Sequence, residues 1–227
     1  MTSNDHTPTE PDLSGNGRFE RGQLPNPPED LLVAVGRLLH LTPDEYTTMW
    51  LHARGHRPTR PMTPEVGMAV PATWQAACDG QRHMMYVTDM AWRVVAYNRP
   101  FAALFRNGQV PENTARWMLL ADEAKTTLMD WENTWAPSVA GQLRNAFAEH
   151  PDNRDLAQLD REVRADPIAG PIYAHGADAS IAPDGVDRHL QHPLWGVGLA
   201  KMVAANLFAA PGARVIIVVF EPQEQDD

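Results

Sequence analysis

The distribution of proline restricts where this chain can form regular structure. Five of its 20 prolines fall within residues 1–28, and four more fall between Arg57 and Pro71. Proline lacks a backbone N–H and its ring clashes with the preceding helical turn, so neither segment favours a helix or a central strand. Residues 1–28 also carry almost no apolar side chains. We therefore expect a disordered arm over 1–28 and a linker over 56–71.

Two short helices are predicted between these proline-rich segments. Apolar residues recur at helical spacing from Glu29 to about His40. Thr42 and Glu45 then form a capping box at the start of a second helix, and Gly55 is its expected C-terminal stop. Residues 29–55 are therefore predicted to be a helical segment of their own.

The remainder of the chain has the pattern of an α+β domain, predicted over 72–222 with an acidic tail over 223–227. Two β-branched and aromatic runs, Met84–Asp89 and Trp92–Tyr97, predict a hairpin, and Pro211-Gly212 is the predicted final turn. Further strands are predicted over 188–192, 199–208 and 214–220, and helices over 72–80, 98–107, 114–120, 123–134, 137–149 and 156–163. This order predicts an antiparallel sheet with a helical layer across one face.

Charge and cysteine content limit the partners and the compartment. The 19 basic and 29 acidic residues give a net charge of −10, whereas nucleic-acid binding usually requires a basic surface. Cys78 is the only cysteine, so an intramolecular disulfide is impossible and we expect a reducing, cytoplasmic location. The polar amino terminus and the lack of a long apolar run predict neither a signal peptide nor a membrane span.

The common catalytic and cofactor motifs are absent from the sequence. It has no G-x-S-x-G elbow, Walker loop, dinucleotide glycine fingerprint or H-E-x-x-H motif. His189 and His192 are three residues apart in a predicted strand, which places their rings on opposite faces. We therefore predict no metal site and no cofactor, and we interpret Cys78 as a buried core thiol rather than a nucleophile.

Large aromatic and apolar side chains are concentrated in the predicted hairpin and the middle helices. For each of these residues, an ordinary position in the hydrophobic core is one interpretation. Together they also match the walls of a closed apolar cavity, in which a few polar groups orient a ligand. The residues concerned are Tyr86, Trp92, Tyr97, Phe101, Phe105, Trp117, Met118, Trp131, Trp135 and Phe147.

Several ordered blocks resemble one protein family. The blocks are MMYVTDMAWRVVAYNRPFAALF, ENTARWMLL, DWENTWAPSVAGQLRNAFAEHPDNRDLAQLDREV, DPIAGPIY, RHLQHP and PGARVIIVVFEP. From about Pro71 to Pro222 the chain resembles the MmyB-like ligand-binding domain of actinobacterial XRE-type transcription regulators. The resemblance implies a PAS-like sheet under a helical cover that encloses a pocket for a fatty-acyl or similarly apolar molecule. The residues it implies for this pocket are Tyr86, Trp92, Asn98, Phe101, Phe105, Met118, Trp131, Leu143, Phe147 and His192.

The resemblance covers only the last part of the family's helix-turn-helix domain. Glu29 to Gly55 is similar to the final helical portion of that domain, and the composition of residues 1–28 does not favour a recognition helix. We therefore expect two short helices remaining from a helix-turn-helix domain and no direct DNA binding.

Two functions of different classes follow from these observations. The first is a cofactor-free cyclase, such as an intramolecular [4+2] cyclase of natural-product biosynthesis, since proteins similar to XRE regulators can act in this way and pericyclic chemistry needs no nucleophile. The second is a ligand sensor that has lost direct DNA binding, with a homodimer possible. In the cyclase hypothesis the predicted catalytic residues are Tyr86, Asn98, Trp131 and His192, and the predicted ligand-binding residues are Trp92, Phe101, Phe105, Trp117, Met118, Trp135, Leu143 and Phe147.

Overall fold

A computed structural model describes residues 26–58, 72–175, 187–207 and 210–223. The chain forms two compact units, one within residues 1–63 and one within 64–227. The predicted arm, linker and acidic tail fall wholly or mostly on residues outside the described ranges. Among the helices that are described, none has both the length and the apolar character needed to cross a bilayer.

The first unit contains the two predicted helices. They are α1 (Glu29–Leu38) and α2 (Pro43–Arg54). The capping box at the start of α2 is confirmed, because the Thr42 hydroxyl accepts a hydrogen bond from the Glu45 N–H and the Glu45 carboxylate accepts one from the Thr42 N–H at 2.8 Å. Gly55 ends the helix with a φ of 75°. Its hydrophobic cluster is formed by the buried side chains of Leu32, Tyr46 and Trp50.

The second unit confirms the predicted α+β class. Its strands are β1 (Met84–Thr88), β2 (Val94–Tyr97), β3 (Asp187–His192), β4 (Gly196–Leu207) and β5 (Ala210–Pro222). Its α-helices are α3 (Thr73–Asp79), α4 (Arg99–Ala102), α5 (Thr114–Leu120), α6 (Asp122–Thr127), α7 (Ala136–Glu149), α8 (Arg154–Ala165) and α9 (Ala169–His175). The strands form one antiparallel sheet in the order β2-β1-β5-β4-β3. The main core lies between this sheet and the helices that follow β2.

The predicted single helix over 123–134 is wrong. Helix α6 ends at Thr127, and the chain then forms a bridge from Leu128 to Leu190 of β3. Asp130 adopts a left-handed φ of 52°, after which Trp131–Trp135 forms a π-helical turn that continues directly into α7. The pairing of Leu128 with β3 interrupts the helix at this point. The helical spacing of apolar residues cannot predict such an interruption.

The predicted final turn at Pro211-Gly212 is also wrong, because both residues lie within β5. Arg214 pairs with Asn206, whereas Ala210 pairs with the next residue of β4. The three residues between them are extra on β5, and Gly212 takes up the distortion with a φ of 88°. A Cβ atom at Gly212 would lie only 2.8 Å from the Met90 side chain. The predicted strand residue 208 lies outside the described ranges.

Candidate ligand-binding site

A cavity of about 580 Å³ lies between the sheet and helix α7, and we call it the main cavity. It opens to solvent at one end, where Asn145 and Glu149 of α7 and the lining residues 204–206 of β4 are exposed. Its volume falls in the range of pockets that hold small molecules. The residues that line it are Tyr86, Trp92, Met118, Trp135, Val139, Gln142, Asn145, Ala146, Glu149, Arg188, Met202, Ala204, Ala205, Asn206, Arg214 and Ile216.

The register of the sheet sets the floor of the main cavity. Tyr86 pairs with Ile216, which in turn pairs with Ala204, so these three residues form one row across β1, β5 and β4. Arg214 and Asn206 form the adjacent row, two residues along each strand and therefore on the same face. Ala204, at the β4 end of the first row, has the smallest side chain of its three residues.

One face of helix α7 and the turn before it forms the roof. Trp135, Val139, Gln142, Ala146 and Glu149 are spaced by four, three, four and three residues, which aligns them along a single helical stripe. The stripe is apolar at its first two positions and becomes polar towards Glu149. The polar end of the roof therefore lies at the open end of the cavity.

Two arginines line the main cavity, and each lies against a tryptophan ring. The Arg214 guanidinium is 4.8 Å from the centre of the Trp92 ring, and that of Arg188 is 5.0 Å from the Trp135 ring. Arg188 also donates a hydrogen bond of 3.2 Å to the Ser138 hydroxyl. Burial lowers the pKa of both arginines, but a guanidinium remains charged in a protein. Within the described ranges, neither forms an ion pair with a carboxylate.

The backbone of the β1–β2 turn fixes the orientation of Trp92. Trp92 has a left-handed φ of 63°, which is rare for a bulky side chain. Its N–H donates to the Asp89 carbonyl at 3.2 Å, and its carbonyl accepts from the Thr114 N–H at 3.0 Å. The buried Asp89 carboxylate accepts hydrogen bonds from the N–H groups of Ala91 and Arg93. Burial raises the pKa of Asp89, and these hydrogen bonds partly oppose that effect.

A second cavity of about 40 Å³, the side cavity, adjoins the main one. Tyr86, Met118, Trp135 and Met202 line both. The side cavity is bordered by a chain of aromatic contacts with centroid distances of 4.1 Å for Tyr86 and Phe101, 4.9 Å for Phe101 and Phe105, and 4.9 Å for Phe105 and Trp117. Tyr86 therefore forms the boundary between the main cavity and an aromatic core. Burial raises the pKa of its hydroxyl.

Of the four predicted catalytic residues, Tyr86 alone lines either cavity. Tyr86 lines the main cavity, whereas Asn98 is the buried N-cap of α4. The Trp131 indole N–H donates a hydrogen bond of 2.6 Å to the Met118 carbonyl, away from the cavity lining.

His192 is fully buried at the end of β3. Its ring stacks on Trp195 at 4.0 Å and also contacts Phe220. Its Nδ1 atom accepts a hydrogen bond from the Leu194 N–H, and its Nε2 atom has no partner among the described residues. Burial lowers the pKa of His192 to about 4. His189 is exposed on the other face of β3, and within the described part of the chain no group of three metal-ligating side chains occurs.

The predicted ligand-binding residues divide into three groups. Trp92, Met118 and Trp135 line the main cavity. Phe101, Phe105 and Trp117 line the side cavity, as Met118 and Trp135 also do. Leu143 is fully buried in the core, Phe147 packs against it partly buried, and neither lines either cavity. A role in binding remains a prediction for all eight residues.

Sequence reasoning missed the polar residues of the main cavity. The signal for two of them was present: Arg188 and Arg214 occupy inward positions of predicted strands, on the same face as Leu190 and Ile216. An arginine on the buried face of a strand points to a partner inside. The other missed polar residues are Gln142, Asn145, Glu149 and Asn206.

Comparison with known proteins identifies the second unit. The family model for the MmyB-like transcription regulator ligand binding domain matches residues 70–227. No curated protein matches the sequence. The matched residues include the whole described sheet and both cavities.

Proposed function

Because the chain belongs to the family of MmyB-like transcription regulator ligand-binding domains, we propose that its main cavity binds a hydrophobic small molecule of polyketide, polyene or fatty-acyl type. A cavity of about 580 Å³ walled by Trp92, Trp135, Val139, Met202 and Ile216 carries this proposal. Apolar surface removed from water stabilises such a complex by about 25 cal/mol per Å². The few polar groups at the walls would orient the bound molecule.

We further propose that the bound molecule undergoes a cofactor-free intramolecular [4+2] cyclisation. Such a reaction requires the chain of the substrate to be folded into a near-attack conformation, which can contribute up to ~7–11 kcal/mol. A hydrogen-bond donor at the carbonyl of the dienophile adds to this. Tyr86 remains protonated because burial raises the pKa of its hydroxyl. The nearby charge of Arg214 only partly opposes that rise. Both residues line the cavity and would serve as donors.

Incubation of the purified full chain with a linear triene that carries a carbonyl-activated dienophile tests this proposal. We expect faster cyclisation than in buffer and an excess of one diastereomer. Tyr86→Phe should slow the reaction by tenfold or more without weakening substrate binding, because it removes a donor and leaves the ring in place. A rate and diastereomer ratio equal to those in buffer would contradict cyclase activity and leave the binding proposal to be tested separately.

A ligand sensor is the second candidate, and membership of a regulator-type ligand-binding family favours it. In this case binding changes association with a second protein copy and no product forms. Native mass spectrometry of the full chain with and without hexadecanoate measures this directly. A ligand-dependent shift from monomer to dimer, with unchanged ligand mass, would support sensing. An unchanged oligomeric state when hexadecanoate is bound would contradict sensing by this route.

A further inference from the structure

We propose that the ligand of the main cavity carries an acidic group at each end of an apolar body, one bound by Arg214 and the other by Arg188. This inference rests on the proposed function, since it names the class of molecule that the same cavity takes. It is carried by two guanidinium groups that line one cavity and that form no ion pair with a carboxylate among the described residues.

Among the described residues, the contacts of each arginine include no ion pair with a carboxylate. Arg214 contacts the Trp92 ring. Burial lowers the pKa of Arg214 and the charge of Glu149 partly opposes this, but the two side chains form no ion pair. Arg188 has the neutral hydroxyl of Ser138 and the ring of Trp135, and its side chain is largely buried. A buried charge without an ionic partner is costly. An acid on the ligand would supply the missing partner at both positions.

The two arginines are attached to the sheet far apart along the strand direction. Arg188 pairs with Ala200 of β4 and Arg214 with Asn206, six residues further along the same strand. At about 3.3 Å per residue this separates their Cα positions by about 20 Å along the strand direction.

Helix α7 gives a similar length independently. Ser138, which contacts Arg188, lies in its first turn, and Glu149, which faces Arg214, is its last residue. These eleven residues span about 16 Å at 1.5 Å per residue. The floor between the two ends is formed by apolar residues, Met202, Ala204 and Ile216. An elongated apolar body with an acid at each end fits this arrangement.

The tryptophan rings prepare both guanidinium groups for binding. Stacking restricts the plane of each guanidinium, so less side-chain entropy is lost when it forms paired hydrogen bonds to a carboxylate. Glu149 is the lining carboxylate whose charge acts on Arg214, and it lies at the open end of the cavity. It therefore opposes entry of an acid at that end, and Glu149→Gln should tighten binding.

Calorimetry on the full chain with four probes tests this inference. The probes are hexadecanedioate, hexadecanoate, methyl hexadecanoate and octanedioate. We expect hexadecanedioate to bind about 10- to 100-fold more tightly than hexadecanoate, because the second acid adds charge-assisted hydrogen bonds. Octanedioate has the same charges on a body too short to reach both arginines, so it should bind more weakly than hexadecanedioate.

Variants assign the effect to the arginines. Arg214→Gln and Arg188→Gln should each reduce the affinity for hexadecanedioate to about that of hexadecanoate. Arg99→Gln removes the same charge from an exposed residue outside both cavities and should change nothing. If a glutamine variant fails to fold, the comparison of the probes on the unmodified chain still decides.

Equal affinities for hexadecanedioate and hexadecanoate would overturn the two-acid inference. If methyl hexadecanoate still binds in that case, the proposed apolar ligand site stands. If none of the probes binds, the proposed function itself is contradicted for fatty-acyl molecules.

Discussion

Replacement of Asn98 by alanine separates a structural role from a catalytic one. The Asn98 side-chain oxygen accepts hydrogen bonds from the N–H groups of Met85 and Phe101, at 3.0 and 3.1 Å. Its amide nitrogen donates to the carbonyls of Gln81 and His83, at 3.0 and 2.7 Å. All four bonds tie the start of α4 to β1 and the segment before it. Asn98 is therefore expected to stabilise the fold rather than to contact a ligand.

The expected loss follows from these four bonds. At about 0.5–1.5 kcal/mol for each intramolecular hydrogen bond, Asn98→Ala should lower the free energy of unfolding by about 2–6 kcal/mol. Urea denaturation followed by tryptophan fluorescence measures this. Asn113→Ala is a matched control, because Asn113 is also an N-cap but makes two such bonds, to Arg116 and Ala91. Its loss should be about half as large. An Asn98→Ala protein of normal stability with impaired ligand binding would refute the structural assignment.

Three further perturbations test the floor of the cavity, the sheet and the buried histidine. Ala204→Phe should fill the main cavity and weaken binding of methyl hexadecanoate at least tenfold with little change in the unfolding midpoint, so unchanged calorimetric affinity would contradict the site. Gly198→Ala should cost about 1–3 kcal/mol in urea denaturation, because a Cβ atom there would lie 2.4 Å from the Glu221 carbonyl and 2.5 Å from the Phe220 ring. The unfolded chain binds a proton at a histidine pKa of about 6.5, whereas the folded pKa of His192 is about 4. The free energy of unfolding should therefore fall as the pH is lowered from about 6.5 to 4, by up to ~3 kcal/mol. His192→Gln should remove that part of the pH dependence, and an identical pH profile for the variant would show that another group causes it.

Local sequence signals predicted those features whose physical cause is local. The Thr42–Glu45 capping box needs only a hydroxyl and a carboxylate three residues apart, and it forms as expected. The alternation of His189 and His192 between the faces of β3 follows from strand geometry alone. Asn98 also caps a helix, as the sequence predicts. In each case the residues that determine the outcome are neighbours in the chain.

The rows of the cavity floor depend on contacts that are distant in sequence. Tyr86, Ile216 and Ala204 meet because β5 lies between β1 and β4, and this strand order cannot be read from the individual segments. The bulge in β5 shifts the pairing between Arg214 and Asn206 relative to the end of the strand. The sequence alone does not show which residues lie beside Arg214. It therefore favours the aromatic residues as candidates for the cavity walls.

The hydrogen bonding of the polar candidates explains why only some of them can serve a ligand. Asn98 and Trp131 are both buried, and the donors of their side chains already bond to backbone carbonyls. A ligand that bonded to either would have to break those contacts and would gain little. Arg188 and Arg214 keep donor capacity that faces the main cavity, within the described part of the chain. The groups that a fold leaves only partly satisfied inside a cavity are therefore better guides to ligand chemistry than residue type, and in this domain they indicate an anion.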